Sequence, residues 1–191
     1  IDETHPLVGQ SLYSASKIGA DKLAESYYLS FGLPVATIRP FNTFGPRQSA
    51  RAVIPTLITQ ALSGSGVIRL GSLSPVRDFN YVKDTVRGFI EIATSPHTVG
   101  RVTNIGRGEG ISIEQLSVMI IELCHSSAHI ELDPVRVRPE KSEILELVCG
   151  NAVAKELFSW KSTYSVRQGP EETIAWISDN MNLYKADQYN V

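Results

Sequence analysis

The sequence has few cysteines, no long apolar run and no excess of charge of one sign. Its two cysteines, Cys124 and Cys149, lie far apart, which excludes a disulfide scaffold or a zinc finger and predicts free thiols in a reducing, cytoplasmic setting. No stretch approaches the ~18 apolar residues of a membrane-spanning helix, and the first residues do not resemble a signal peptide. With 18 Lys and Arg against 20 Asp and Glu, the net charge of −2 favours neither a nucleic-acid nor a membrane partner.

Helical and strand patterns alternate along the 191 residues, and this alternation predicts an α/β fold. Helices are predicted at residues 13–31, 54–63, 81–94, 112–124, 151–160 and 165–181. Strands are predicted at residues 35–38, 67–70, 102–105 and 129–132. Ser112 and Gln115 form a capping-box pattern, and Gly32 is a predicted C-terminal cap. Pro170 predicts a kink or a late start in the last helix.

Tyr13 and Lys17 are four residues apart on the first predicted helix, so their side chains leave the same face. A lysine ammonium close to a phenol favours the phenolate, which makes Tyr13 a candidate general base for a substrate hydroxyl. Taken alone the spacing is weak, because Tyr and Lys are common on helix surfaces.

Further motifs follow this pair in a fixed order. They are Tyr13-Ser-Ala-Ser-Lys17, Arg39-Pro-Phe-Asn42 with Gly45-Pro46-Arg47, Arg77-Asp78 continuing to Asp84, Asn104-Ile-Gly106 and Arg138-Pro139. In this combination the chain resembles the extended short-chain dehydrogenase/reductase family, the NAD-dependent epimerases and dehydratases of nucleotide sugars. Residues 39–55 and 138–143 resemble in particular the UDP-N-acetylglucosamine 4,6-dehydratases of the legionaminic acid pathway.

The resemblance implies the C-terminal part of a Rossmann-like doubly wound domain followed by a small mixed α/β substrate-binding domain. Residues 1–50 would end the NAD-binding domain, and residues 51–191 would form mainly the substrate-binding domain, with some segments returning to the Rossmann sheet. The family's glycine-rich turn and its Ser/Thr-rich segment before the tyrosine have no counterpart, since Gly106, Gly108 and Gly110 lack the dinucleotide-binding spacing. We therefore expect a C-terminal fragment that is inactive alone.

The resemblance also implies roles for individual residues. Tyr13 and Lys17 would be catalytic and would contact NAD, with Pro40 beside the nicotinamide. Guanidinium groups bind diphosphate oxygens bidentately, which makes Arg77 and Arg138 good candidates for substrate binding. The implied substrate-binding residues are Asn42, Arg51, Val53, Arg77, Arg138 and Glu143, with Glu140 competing with Glu143 for the ribose. The four histidines show no ligand spacing, and no metal site is predicted.

The activity implied is an NAD-dependent nucleotide-sugar 4,6-dehydratase acting on a UDP-sugar. A UDP-sugar 4-epimerase is the alternative within the same class, and an acidic pair upstream of Tyr13 would favour the dehydratase. A non-catalytic nucleotide-sugar-binding or interaction module is the alternative of another class, and it predicts UDP-sugar binding without NAD. The default assembly is a homodimer through the Tyr13–Lys17 helix, where the small Ala20 and Ala24 permit close approach.

Overall fold

A computed structural model describes residues 1–137 and 143–185 of the chain. Within these residues the helices are α1 Leu12–Phe31, α2 Val53–Leu62, α3 Val82–Thr94, α4 Ile113–Leu123, α5 Ala152–Phe158 and α6 Gln168–Asp179. The strands are β1 Thr37–Pro40, β2 Thr43–Phe44, β3 Val67–Leu70, β4 Val76–Arg77, β5 Asn80–Tyr81, β6 Val102–Ile105, β7 Ile111–Ser112, β8 His129–Leu132 and β9 Glu146–Leu147. The described residues contain no helix that is long and apolar enough to cross a membrane.

The strands pair mostly in parallel, as the alternation of helices and strands predicts. Strand β1 pairs with β6, β2 with β5 and β3 with β8, all in parallel. Strand β4 lies between an antiparallel β7 and a parallel β9. In the described part of the chain, no strand pairs with its immediate neighbour in sequence.

Local sequence signals mark some of the helix ends. Ser112 and Gln115 form the predicted capping box, and Ser11 and Ser14 form another at the start of α1. Gly32 ends α1 with a φ of 66°, a left-handed conformation that glycine adopts without steric cost. The last helix starts late, and Pro170 lies in its first turn, where a missing N–H costs no helical hydrogen bond.

Strand β1 begins two residues later than the sequence predicts. The carbonyl of Val35 accepts a hydrogen bond from the Gly100 amide, and regular pairing with β6 starts only at Thr37. Tertiary pairing therefore sets this boundary rather than the β-propensity of Val35.

The larger hydrophobic core lies between α2, α4 and α6 and the parallel pair β3–β8. Leu57, Ile58, Ile68 and Ile120 are fully buried there. Seven of the ten residues of α2 are buried, so this helix is the centre of the core.

A second, smaller cluster lies against the β1–β6 pair. It contains Ile92, Ile105, Ala154 and Trp160, and the Arg87 guanidinium lies 4.4 Å from the centre of the Trp160 ring. The β1–β6 pair joins residues on both sides of the predicted boundary at residue 50, and the domain division itself stays a prediction.

Helix α1 differs from the rest of the fold. None of its twenty residues is buried in the described part of the chain. Leu12, Leu23, Leu29 and Phe31 are all more than half exposed, so its apolar side chains are left on the surface.

Candidate functional site

One cavity of about 400 Å³ collects most of the residues that the sequence marks as substrate-binding. Its walls come from the loop after β1, the first turn of α2, the loop after β3 and the strand β4. Five of the six implied substrate-binding residues line it: Asn42, Arg51, Val53, Arg77 and Glu143. We call it the arginine cavity, because three arginines line it: Arg51, Arg77 and Arg136.

Arg77 and Glu143 form an ion pair in the wall of this cavity. Nη2 of Arg77 donates to Oε1 of Glu143 at 2.9 Å, and the two side chains are only 11% and 15% exposed. A second Arg77 nitrogen donates to the carbonyl of Val76 at 2.9 Å. The guanidinium is thus held at a fixed place in a partly dehydrated site, where charge interactions are stronger than in water.

The neighbouring Asp78 anchors the strand that carries Arg77. Its fully buried carboxylate accepts backbone hydrogen bonds from Arg107 at 3.1 Å, Gly108 at 2.8 Å and Cys149 at 3.2 Å. Burial raises the pKa of Asp78, although these three N–H groups act in the opposite direction. Asp78 therefore joins three separate segments behind the cavity and has a structural role.

The first turn of α2 borders the cavity with its backbone. Ala52, Val53 and Ile54 line it, and Ala52 is an N-cap without a side-chain hydrogen bond. The N–H groups of a first helical turn have no partner within the helix, and they suit an anion.

Tyr13 and Lys17 lie together on α1, as their spacing predicts. Nζ of Lys17 lies 5.5 Å from the centre of the Tyr13 ring, and Tyr13 is 72% exposed. Neither residue is among the described residues that line the arginine cavity.

An ion pair orients α1 relative to the strand that leads into the cavity. Nε of Arg39, on β1, donates to Oδ2 of Asp21 at 2.8 Å. Asp21 follows Lys17 by one turn on the same face as Tyr13. Tyr13 precedes Asp21 by eight residues, which is roughly 12 Å along the helix axis.

The end of β1 connects this helix to the cavity. Pro40, implied beside the nicotinamide, is exposed at the last position of β1, and the next residue, Phe41, is buried. Asn42 then lines the cavity, and its carbonyl accepts a hydrogen bond from the Asn80 amide at 3.0 Å.

Two implied substrate-binding positions are not placed by the structure. Arg138 and Glu140, the alternative to Glu143, lie outside the described residues. The roles of the placed residues stay predictions.

The sequence reasoning missed several cavity residues. Arg136 lines the cavity, is largely buried and donates to Asp133 at 3.0 Å. A Cβ on Gly71 would lie 2.4 Å from the Arg136 carbonyl oxygen, so only glycine fits there. Gln48 and Ser72 line the cavity as well. The repeated Val-Arg pattern at residues 135–138 is a signal for Arg136, whereas nothing local marks Gln48 or Ser72.

Asp84 lies in the first turn of α3 and has a structural role. Its buried carboxylate accepts hydrogen bonds from Ser162 at 2.6 Å and from the backbone amides of Thr163 and Tyr164, and it pairs with Arg87 at 3.1 Å. Among the residues described, no group of three or more His, Cys, Asp or Glu could hold a metal ion.

Comparison with known proteins shows which family the chain matches. The family model described as GDP-mannose 4,6 dehydratase matches residues 1–173. A dTDP-glucose 4,6-dehydratase of Actinoplanes is 32% identical over 95% of this chain and 56% of its own length. The crystal structure of the Bacillus anthracis dTDP-glucose 4,6-dehydratase in complex with NAD has a TM-score of 0.86 at 29% identity, covering 95% of this chain and 56% of that one.

A second solved structure extends the comparison to epimerases. The UDP-glucuronic acid 4-epimerase of Bacillus cereus, in complex with UDP-glucuronic acid and NAD, has a TM-score of 0.85 at 25% identity. The match covers 96% of this chain and 57% of that one, so the chain spans little more than half the length of these relatives. These matches confirm the α/β, Rossmann-like fold. The chain belongs to the GDP-mannose 4,6-dehydratase-like family of NAD-dependent epimerases and dehydratases.

Proposed function

We propose that the chain supplies the nucleotide-sugar site and the Tyr-Lys pair of an NAD-dependent 4,6-dehydratase acting on UDP-N-acetylglucosamine. The convergence of Arg51, Arg77 and Glu143 on one cavity is the observation that carries the proposal. The resemblance of residues 39–55 to UDP-N-acetylglucosamine dehydratases supports the choice of sugar.

The arginine cavity suits a nucleoside diphosphate. Arg77 and Arg51 offer guanidinium groups to the phosphate oxygens, and the uncapped first turn of α2 offers N–H groups. Arg136 adds a third guanidinium to the wall. Glu143 holds Arg77 in place and has acceptor oxygens for a ribose diol.

The Tyr-Lys pair suits the other end of the substrate. Tyr13 takes the proton from the sugar O4, and the Lys17 ammonium lies beside it, 5.5 Å from the centre of its ring. Both side chains are exposed, and Lys17 has no acidic partner within residues 1–137 and 143–185, so both are open to ligands.

The same residues fit the nicotinamide ribose of NAD. Lys17 has N–H donors for ribose hydroxyls, and the exposed Pro40 ends the neighbouring strand. The pyrophosphate end of such a site has no glycine-rich turn in this sequence. NAD, when bound, supplies the acceptor of the C4 hydride and the donor that returns it.

Binding and turnover separate this function from its alternatives. We expect UDP to bind with an affinity that Arg77→Gln lowers by about tenfold or more, because one charge-assisted contact is lost. Lys161→Gln, which removes an exposed cation outside the cavity, is the control. Calorimetry measures both, and equal affinities for UDP in the two variants would contradict the proposed site.

Mass spectrometry of the product then identifies the reaction. A dehydratase converts UDP-N-acetylglucosamine into a product lighter by one water, and Tyr13→Phe abolishes this conversion. The 4-epimerase remains the second candidate because the Bacillus cereus relative is such an enzyme. It predicts a product of unchanged mass with an inverted C4. UDP binding without NAD binding or turnover would instead support a non-catalytic module.

The exposed helix α1 supports a homodimer as the assembly. Leu23 and Leu29 are 62% and 73% exposed, and Ala20 and Ala24 leave room for a close helix contact. We expect Leu23→Glu to shift the protein toward the monomer in sedimentation experiments. Leu132→Glu changes an equally exposed leucine on β8 and serves as the control. Equal effects of the two variants would count against α1 as the interface.

A further inference from the structure

A second and larger cavity adjoins the arginine cavity. It has a volume of about 640 Å³ and lies between the loop of residues 47–51 and the chain that follows α6. Gln48 and Arg51 line both cavities, so only this loop separates them. Among the described residues, Arg47, Trp176, Tyr184 and Lys185 line the second cavity and do not line the arginine cavity.

Three cations converge on the second cavity without neutralisation. Arg47, Arg51 and Lys185 line it, and no carboxylate does so within the described residues. None of the three forms an ion pair with a described residue, although most other arginines of the chain do. In a chain with a net charge of −2, this local excess of positive charge favours an anionic ligand.

Backbone strain places one of these cations at the rim. Arg47 has a φ of 68°, in the left-handed region that is strained for a residue other than glycine. The amide of Gln48 donates to the Gly45 carbonyl at 3.3 Å, and its side-chain amide donates to the Thr43 carbonyl at 2.9 Å. The surrounding loop therefore holds an arginine where glycine would be easier to accommodate.

Aromatic side chains form the opposite wall. The rings of Trp176 and Tyr184 meet edge to face, with centres 6.2 Å apart. The Tyr184 hydroxyl donates to the Gln48 carbonyl at 3.0 Å, which ties the chain after α6 to the cationic loop. Positive charge and aromatic surface thus lie on two sides of the same cavity.

From this arrangement we infer that the second cavity is a binding site for a phosphorylated small molecule distinct from the nucleotide sugar. Arg47 and Lys185 bind its phosphate oxygens, and Arg51 contacts the ligands of both cavities. Two anions that share one guanidinium weaken each other's binding, and this coupling is reciprocal. The site would therefore report the level of a phosphorylated compound to the arginine cavity.

The test is a titration of the UDP-saturated protein with inorganic pyrophosphate and, separately, with AMP. Trp176 lines the cavity, whereas the other tryptophan of the chain, Trp160, is 1% exposed in the second cluster. Tryptophan fluorescence therefore reports on this cavity, and calorimetry measures the binding independently. Tighter binding of AMP than of pyrophosphate indicates a nucleotide ligand that uses the aromatic wall, and the reverse order indicates an inorganic phosphate ligand.

The expected result is a binding event that persists at saturating UDP. Arg47→Gln and Lys185→Gln each lower the affinity for the probe by about fivefold and leave the affinity for UDP unchanged. Lys161→Gln, an exposed cation away from both cavities, leaves both affinities unchanged. Trp176→Phe removes the optical signal but not the heat of binding.

Three results would overturn the inference. They are the absence of binding for both probes, complete competition of both probes by UDP, and equal loss of affinity in Lys161→Gln and Arg47→Gln. The last result would reduce the effect to general charge attraction.

Discussion

Helices α1 and α2 carry different parts of the proposed site, and the chain buries them very differently. None of the twenty residues of α1 is buried, against seven of the ten residues of α2, within the described residues. Burial of one large aliphatic side chain stabilises by about 1.5–3 kcal/mol, so α2 is held by the core. A partly exposed ion pair between Asp21 and Arg39 joins α1 to β1.

The contrast separates substrate binding from catalysis in physical terms. The wall of the arginine cavity rests on α2 and on the β4 strand that Asp78 anchors. Tyr13 and Lys17 rest on a helix whose apolar residues face outward. We therefore expect substitutions in the core to change UDP binding. Substitutions in α1 should instead change how well that helix itself is ordered.

The largest expected difference comes from one aliphatic truncation in each helix. Ile58→Ala in α2 removes a fully buried side chain and is expected to lower the free energy of unfolding by about 2–5 kcal/mol. Leu29→Ala in α1 truncates a side chain that is 73% exposed within one chain, so in the monomeric Leu23→Glu background it is expected to change the free energy of unfolding by less than about 0.5 kcal/mol. Urea denaturation measures both, and similar losses would mean that α1 is buried in solution.

The next effect tests Asp84, which anchors the loop of residues 162–164 near the second cluster. Burial alone raises the pKa of Asp84, but hydrogen bonds from Ser162, Thr163 and Tyr164 outweigh it and hold the pKa below its usual 3.8. A depressed pKa means that this carboxylate stabilises the fold above the unfolded-state pKa and that the contribution is lost as the pH falls through the folded-state pKa.

Asp84→Asn is expected to cost about 3 kcal/mol near neutral pH, because Arg87 and several donors lose a charged partner. The difference between the wild type and this variant should shrink below about pH 4. Urea denaturation across the pH range measures it. A difference that stays constant down to acid pH would show that packing, not the charge of Asp84, is responsible.

Matched serine caps provide a smaller test of the same contrast. Ser11 caps α1 and Ser112 caps α4, each in a capping box. Ser112→Ala is expected to lower the free energy of global unfolding by about 1 kcal/mol. Ser11→Ala should instead fray the start of α1 and leave global unfolding unchanged, which hydrogen exchange detects. An equal loss of global stability in both variants would tie α1 to the core.

The smallest expected effect concerns the ion pair between α1 and β1. Asp21→Asn removes a partly exposed pair, so we expect less than about 1 kcal/mol of global destabilisation. Amide exchange in the N-terminal half of α1 should nevertheless become faster. Asp179→Asn changes an exposed carboxylate at the end of α6 and is the control.

Most regular elements were predictable because their signals are local. The strands at residues 67–70, 102–105 and 129–132 have the predicted bounds, and the Ser112–Gln115 capping box is present. The two-residue strands, such as β4 and β9, have no periodicity that a sequence pattern could show. They exist because distant segments meet beside Arg77.

The candidate site was predictable only in part, for a similar reason. The spacing of Tyr13 and Lys17 is only a weak signal by itself, and the family resemblance was needed for this pair as well as for Asn42, Arg51 and Glu143. Gln48 and Ser72 enter the cavity through tertiary contacts, and no spacing in the sequence brings them to Arg77.

The pairing of strands that are not neighbours in sequence has a consequence for how the protein folds. Thr37 pairs with Val102 and Val67 with His129, so no sheet of the described residues can start from a local hairpin. Closing such long loops costs entropy before any strand contact stabilises the chain, and folding is correspondingly slow. During synthesis, β1 stays unpaired until β6 has left the ribosome. The helices of the protein are therefore expected to form before the strands pair.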